Sequence, residues 1–210
     1  MDGAATPSRP RKGYHHGDLK EALKSAALSL VREHGPRGFT LSEAARRAGV
    51  SAAAPYRHFA DREALLVAVA EEGYRDLLER LRTEAEREDL PLELRFFEMG
   101  VAYVRFALDQ PESFQVMFNG EVDKGRHPSL LLAADEAGEV AELLLKRLQE
   151  ENKLPPGDPL VLARPAWALL HGIASLQVQG VLSQARWACD PIQLAREGLR
   201  ALIMGALGPV

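Results

Sequence analysis

Metal binding is the first chemistry to test, because the segment Tyr14-His15-His16-Gly17-Asp18 combines imidazole and carboxylate groups. Adjacent side chains diverge from one another, however. No cysteine and no histidine pair at helical spacing completes a ligand set. We therefore predict no metal site and interpret the segment as the entry into a first helix.

A nucleophile and a base are also present, in Cys189 and His171. A thiol becomes a catalytic nucleophile when a base activates it and a third group orients that base. Neither a third group nor an oxyanion loop can be recognised in the sequence. We predict that the chain is not an enzyme and uses no cofactor, and we interpret Cys189 as a core residue.

The composition indicates a globular protein of a reducing compartment. The chain has 210 residues, of which 46% are hydrophobic, which is enough for a packed core. Its single cysteine excludes an internal disulfide framework. The N-terminus is polar, unlike a secretory signal, and no run reaches the roughly 18 apolar residues of a membrane span. We expect a cytoplasmic protein.

Charge is distributed unevenly along the chain. Residues 1–60 carry ten Lys and Arg against five Asp and Glu, whereas residues 61–210 carry sixteen against twenty-five. A basic module joined to an acidic body suits a protein that binds a polyanion through one end only.

The spacing of apolar residues predicts an all-α fold of about nine helices. The N-terminal helices are predicted, in chain order, at 18–34, from Thr40 to Gly49, from Ser51 to Phe59, and from Asp61 toward Arg87. Thr40-Leu41-Ser42-Glu43 has the form of a capping box at the start of the second helix. Breaks are expected at Pro91, near Pro111, across 119–128 and across 153–159. Asp158-Pro159 and Asp190-Pro191 each pair an N-cap acid with a proline at the first helical position.

Only Gly49-Val50 separates the second and third predicted helices, which is the pattern of a helix-turn-helix braced by the first helix. The buried wedge between the helices is expected to consist of Leu41, Ala44, Ala45, Ala48, Val50 and Phe59. An ordinary helical hairpin would give the same pattern, so the pattern alone leaves both interpretations open.

The residues of this motif resemble the DNA-binding domain of the tetracycline-repressor (TetR) family. The resemblance lies in FTLSEAARRAGVS at 39–51, PYRHF at 55–59 and DREALL at 61–66, and it covers residues 13–75. It implies a homodimer with a three-helix DNA-binding head. It also implies a variable C-terminal body that binds an inducer and pairs with the same body of a second protomer.

The same resemblance implies roles for individual residues. Tyr56 and His58 match positions that contact DNA phosphates, and Arg62 stands at the position of a phosphate-binding lysine. Thr40 and Ser42 also match phosphate-contacting positions. Hydroxyls, imidazoles and helix N-termini are suitable partners for a phosphate oxygen. Tyr56 is alternatively a core aromatic residue.

Sequence readout should come from the start of the third predicted helix, which is poor in hydrogen-bonding groups. The residues there are Ser51, Ala52, Ala53, Ala54 and Pro55. The three alanines leave apolar contact with thymine methyl groups as the means of readout. Pro55 departs from the bulky aliphatic residue expected in many relatives, although proline is tolerated within a first helical turn.

Hydrogen-bonding specificity then falls to Arg46 or Arg47 and to Arg57. The arm at 1–12 is basic and flexible, and it either enters the adjacent minor groove or remains a solvated tail. The segment 14–18 is alternatively an approach to DNA.

The body carries a second resemblance, to the Trp-His-Gly (WHG) type of C-terminal domain found in part of the family, through Trp167-Ala168-Leu169-Leu170-His171-Gly172. Trp167 and His171 are four residues apart and share a helix face. The candidate effector-binding residues are Phe97, Tyr103, Phe114, Met117, Phe118, Trp167 and His171, with Gln177 as a further polar candidate. For any single one of them, core packing is the stronger interpretation.

These observations predict a ligand-responsive homodimeric repressor that binds a pseudo-palindromic double-stranded DNA operator and is released by a small apolar effector. The arm at 1–12, the helix-turn-helix at 13–60 and the ligand-binding and dimerisation domain at 61–210 are the predicted units. The last two helices, 159–182 and 191–207, are expected to pair across a two-fold axis. Two alternatives remain, a ligand-independent architectural protein and a small-molecule-binding enzyme that has lost DNA binding.

Overall fold

The structure is a computed structural model that describes residues 16–118 and 120–206. The predicted arm at 1–12, residues 14 and 15 of the histidine-rich segment, and Leu207 lie outside the described residues. Within them there are eight α-helices and no strand, which confirms the all-α prediction. The helices are α1 His16–His34, α2 Leu41–Arg47, α3 Arg62–Ala85, α4 Leu92–Asp109, α5 Pro111–Phe118, α6 Pro128–Glu150, α7 Leu160–Val178 and α8 Pro191–Ala206.

The predicted capping box at the start of α2 is present. Thr40 has an extended backbone, and its hydroxyl accepts a hydrogen bond from the Glu43 amide at 3.2 Å. The Glu43 carboxylate in turn accepts from the Thr40 amide at 2.8 Å. Both amides would otherwise lack partners at the helix start, so the box fixes where α2 begins. The chain turns after α2 at Gly49, whose φ of +72° lies in the left-handed region that favours glycine.

The prediction of a third α-helix from Ser51 to Phe59 is wrong. Residues 51–59 form turns and one short 3-10 helix, Pro55–Arg57. An α-helix here would need the residue-55 amide to donate to the Ser51 carbonyl, but proline has no N–H and its ring clashes with that carbonyl. The Ser51 carbonyl accepts instead from Ala54 at 3.0 Å, a tighter i to i+3 bond. Pro55 is itself buried, so the proline is a packing residue that converts the segment into a compact turn.

The long helix α3 joins the N-terminal part to the remainder. Asp61 caps it as predicted, since its carboxylate accepts from the Ala64 amide at 2.8 Å. α3 packs mainly against α4 and α6, and α4 packs in turn against α7 and α8. We call residues 16–60 the head and residues 61–206 the body. The head packs on the body through α1, which contacts α3 and α5.

Aspartates also mark the starts of α7 and α8. Asp158 accepts a hydrogen bond from the Leu160 amide at 2.9 Å, and Asp190 accepts one from the Ile192 amide at 2.8 Å. The predicted helix starts are therefore confirmed to within one residue.

Cys189 corrects one prediction. It lies in the loop before α8 and is exposed, so it is not a core residue. Cysteine often packs in protein cores as a small apolar residue, whereas its position beside the Asp190 cap keeps this one at the surface. None of the helices among the described residues combines the length and apolar character that a membrane span requires.

Candidate DNA-binding surface and effector cavity

The head presents exposed small and polar residues on α2 and in the turns that follow it. They are Ser42, Arg46, Ser51, Ala52, Ala53, Tyr56 and Arg57. Tyr56 is 58% exposed and is therefore not a core aromatic residue, whereas Phe59, three residues later, is 6% exposed. The short 3-10 helix thus turns a hydroxyl and a guanidinium outward and anchors them through a buried phenylalanine.

Arg47 and Thr40, two predicted contact residues, already have partners within the head. Arg47 forms a bidentate ion pair with Glu33, in which both N–O distances are 2.6 Å. It also donates a hydrogen bond to the Ser29 hydroxyl at 2.7 Å. This pairing holds the pKa of Glu33 below its usual value. The Thr40 hydroxyl serves the capping box. The geometry therefore favours Arg46 and Arg57 over Arg47 as guanidinium groups that can reach outward.

Arg62 connects the head to the body. Its guanidinium donates to the Pro36 carbonyl and contacts Glu121 at 3.2 Å, and it lies over the Phe39 ring at 5.6 Å. Arg37 also pairs with Glu121. Hydrogen bonds from both arginines hold the pKa of Glu121 below its usual range, and the bond from Arg37 has the larger effect. His58, the other predicted phosphate contact beside Tyr56, is half-buried.

Two further polar contacts cross from the N-terminal helices to the segment around α5. The Arg32 side chain of α1 pairs with Glu112 at 2.6 Å, which lowers the pKa of that largely buried carboxyl group. His127 lies 3.0 Å from Glu63 in the first turn of α3. We call residues 120–127 the α5–α6 segment. Through Glu121 it touches the head, and it leads directly into the body.

A cavity of about 550 Å³ lies among α3, α4, α6 and α7. Its volume falls within the range of small-molecule sites. Most of its wall is apolar or aromatic, with Leu77, Leu81, Phe96, Met99, Tyr103, Phe118, Trp167, Leu170 and Leu199 among the lining residues. Asp135, Glu139, Glu142 and Arg164 also line it, and all but Glu142 are exposed, so the charged residues form its outer rim.

The predicted effector-binding residues divide into three groups. Tyr103, Phe118 and Trp167 line the cavity. His171 and Phe114 lie one layer behind it: the His171 ring stacks on Trp167 at 5.3 Å and packs against Phe114, also at 5.3 Å.

The third group does not contribute to the cavity wall. Met117 faces α3, where its sulfur would lie 2.6 Å from a Cβ placed at Gly73. Phe97 is partly buried and packs edge-on against Phe96. Gln177 is half-buried near the end of α7, within 3.5 Å of Ser183. These three side chains sit on helix faces that periodicity alone does not distinguish from the cavity face.

A hydrogen bond joins the two polar candidates Tyr103 and His171. The Tyr103 hydroxyl lies 2.9 Å from His171 Nδ1, and Ser175 lies 3.3 Å from Nε2 on the other side of the ring. Burial lowers the pKa of His171, and the nearby charge of Lys124 lowers it further. Burial raises the pKa of Tyr103. Both groups are therefore neutral hydrogen-bonding groups, Tyr103 in the cavity wall and His171 directly behind it.

Sequence reasoning missed Tyr74 and Lys124, which also line the cavity. Tyr74 lies in the middle of α3, where its position in the apolar stripe could have indicated an inward direction. Lys124 lies in a predicted break between helices, and no periodicity exists there to show which way a side chain points.

The fold and the exposed head define a class of protein, the all-helical regulators that carry an N-terminal helix-turn-helix on a larger helical body. The sequence pattern described as "Bacterial regulatory proteins, tetR family" matches residues 23–69. The pattern described as "Tetracyclin repressor-like, C-terminal domain" matches residues 96–202, a range that includes Trp167, His171 and Gly172. The chain belongs to the TetR family of transcriptional regulators, and its head is a helix-turn-helix DNA-binding domain.

The chain is also similar to individual proteins and solved structures. The HTH-type transcriptional regulator BetI of Agrobacterium fabrum is 29% identical over 167 residues, which are 73% of this chain and 74% of that protein. A structure from Rhodococcus sp. RHA1, described as a protein of unknown function, is 31% identical with a TM-score of 0.81 and covers 94% of this chain and 100% of its own. FadR from Bacillus subtilis, solved in complex with stearoyl-CoA, shares the fold at 15% identity with a TM-score of 0.72, covering 88% and 98% of the two chains.

Proposed function

We propose that this protein is a cytoplasmic, homodimeric transcriptional repressor that binds a pseudo-palindromic operator and is released by a small apolar effector. The observation that carries the proposal is the pairing of an outward-facing Tyr56–Arg57 surface on the head with an apolar cavity in the body. The charge distribution supports it, because the net positive charge lies in residues 1–60.

The DNA contacts divide into positioning and readout. Ser42, Tyr56 and Arg57 are exposed and carry donors that suit phosphate oxygens. Ala52 and Ala53 are exposed at the tip of the turn, where methyl groups can contact thymine methyl groups. Arg46 is exposed on α2, and we assign it a base-edge hydrogen bond. Thr40, Arg47 and Arg62 position the head through the contacts described above.

The effector site is the cavity among α3, α4, α6 and α7. Its apolar wall and its volume favour a small apolar molecule. The stearoyl-CoA complex of the Bacillus subtilis relative supports the proposal, since that protein of the same fold holds a ligand with a long apolar chain. Trp167, stacked on His171 and 51% exposed, stands where the cavity meets solvent.

The α5–α6 segment connects the cavity with the head. Lys124 of this segment lines the cavity, and Glu121, three residues earlier, pairs with Arg37 and Arg62 of the head and its junction. A ligand that displaces Lys124 therefore acts on the same short segment that holds two arginines beside the DNA-binding surface. Release follows if the ligand prefers the arrangement of heads that does not fit DNA.

Tyr56→Phe tests the phosphate role of the exposed tyrosine. Removing one hydrogen bond to a charged phosphate is expected to weaken operator binding by about tenfold per head, since such bonds contribute about 1.5 kcal/mol. Fluorescence anisotropy with the operator duplex and with a scrambled duplex measures the effect. Both affinities should fall by the same factor, because a phosphate contact carries no sequence information. A loss confined to the operator would show that Tyr56 reads bases instead.

Glu121→Gln tests the connection between the body and the arginines of the head. The change removes one negative charge beside Arg37 and Arg62, so the ligand-free protein is expected to bind DNA about threefold more tightly, in keeping with the modest energies of ion pairs that solvent reaches through one partner, here Arg37. Glu88→Gln is the matched control, because Glu88 is exposed in the loop between α3 and α4. Weaker DNA binding by Glu121→Gln would mean that the pair holds the head in its DNA-binding position.

A further inference from the structure

Lys124 places a positive charge at the inner wall of an apolar cavity. Its amino group lies over the ring faces of Tyr74 and Phe118, 4.9 Å and 5.0 Å from their centroids, and it donates a hydrogen bond to the Tyr74 hydroxyl. Aromatic faces attract a cation but do not neutralise it. The lysine is therefore held in place by rings and one neutral hydroxyl.

Among the side chains that the structure describes, no aspartate or glutamate oxygen lies within 4.0 Å of the Lys124 amino group, whose hydrogen-bond partner is the Tyr74 hydroxyl. Asp135 attracts the charge of Lys124 without contacting it, and the Asp135 side chain is exposed. Burial lowers the pKa of Lys124, because the charged amino group has lost part of the water that stabilises it. A desolvated charge without an ionic partner is unfavourable, so this position gains free energy when an anion arrives.

The remaining charged groups of the cavity lie elsewhere. Asp135, Glu139 and Arg164 are exposed at the rim, and Glu142 is paired with Lys146 at 2.6 Å. Rim charges are hydrated and screened, so they contribute little to ligand selection compared with a group inside the apolar wall. The inner wall beside Lys124 offers further donors in the hydroxyls of Tyr74 and Tyr103.

We propose that the effector carries a single carboxylate on an apolar body, and that the carboxylate pairs with Lys124 while the apolar body fills the space lined by α4 and α7. This proposal rests on the proposed function, because it specifies the ligand of the same cavity. The carboxylate replaces the missing ionic partner of the lysine. The apolar body covers the aromatic and leucine side chains of the wall.

Three probes with chains of ten carbons and different head groups test the proposal. Decanoate, 1-decanol and decyltrimethylammonium are titrated into the full-length protein by isothermal calorimetry, below their micelle-forming concentrations. Decanoate is expected to bind about tenfold more tightly than 1-decanol, because a charge-assisted hydrogen bond inside the protein contributes about 1.5 kcal/mol or more. Lys124→Met should abolish that preference, so that decanoate and 1-decanol bind the variant with equal affinity. Lys20→Met, at an exposed lysine of α1, is the control and should keep it.

The outcomes separate the two proposals. Binding of decanol or of the ammonium probe as tight as that of decanoate overturns the carboxylate assignment and leaves the effector cavity standing. A decanoate preference that survives Lys124→Met assigns the anion to another group, such as Arg164, and also overturns it. If none of the three probes binds, both the carboxylate assignment and the apolar effector site are wrong. Circular dichroism of each variant confirms that an abolished preference is not a loss of folding.

Discussion

Replacing Arg57 by glutamate is expected to reduce operator binding by about 100-fold or more at physiological salt, because the change removes a phosphate contact and adds a like charge facing the phosphates. Arg57 is exposed at the end of the 3-10 helix Pro55–Arg57, next to Tyr56. Ala52 and Ala53 of the preceding turn are exposed as well. Anisotropy titrations with the operator duplex measure the loss.

The salt dependence of binding shows whether the effect is electrostatic. Arg57→Gln removes the charge without reversing it, and the slope of log affinity against log salt should fall by about one for each phosphate that the protein no longer neutralises. Arg105→Glu is the matched control, since Arg105 is exposed on α4 and undergoes the same change in net charge. An equal loss with Arg105→Glu would attribute the effect to total charge, and normal binding by Arg57→Glu would remove this face of the head from the interface.

The expectation for Arg57 depends on a segment whose structure the sequence predicted only in part. Capping residues predicted the starts of α2, α3, α7 and α8, because a side-chain oxygen and the amide it binds lie within three residues of each other. The segment 51–59 was predicted as a helix because Ser51 can serve as an N-cap. A single proline outweighed that preference by removing one backbone donor.

Long-range contacts explain the rest of what the sequence could not predict. The position of Arg62 follows from Glu121, which lies fifty-nine residues away along the chain, and no local pattern connects them. The same is true of the lysine in the cavity, because Lys124 lies between helices and finds Tyr74 fifty residues earlier. The aromatic content of α4, α5 and α7 indicated an apolar cluster. Which members line a cavity depends on how four helices are placed relative to one another, and side-chain spacing within one helix does not contain that information.

Replacing Ala168 by a charged residue is expected to convert the proposed dimer into monomers. One face of α7 carries Val161, Pro165, Ala168 and Leu176, all exposed, at the spacing of successive helical turns. Gly172 lies on the same face, and a Cβ built there meets no atom within 4 Å. The adjacent helix α8 adds Met204, which is 64% exposed. An exposed apolar stripe with Ala168 and Gly172 at its centre is suited to close approach by a second copy of the same stripe.

Ala168→Glu places two like charges within the proposed interface and leaves the protomer intact, because the side chain is exposed and glutamate is a good helix former. Operator affinity should fall by about 100-fold or more, since a monomer binds one half-site and loses the gain from linking two heads. Sedimentation velocity measures the mass, and anisotropy with full and half operators measures the binding. The half-operator affinity should be unchanged, which distinguishes a failure of pairing from a damaged head.

Leu143→Glu is the matched control for the interface. Leu143 is 58% exposed on α6, outside the α7–α8 face, so this variant should remain a dimer with normal operator binding. If Ala168→Glu remains dimeric while Leu143→Glu dissociates, the two-fold axis runs through α6 and the α7 stripe has another partner. If both variants dissociate, the interface extends across α6 as well, because a like-charge pair disrupts only the surface on which it is buried.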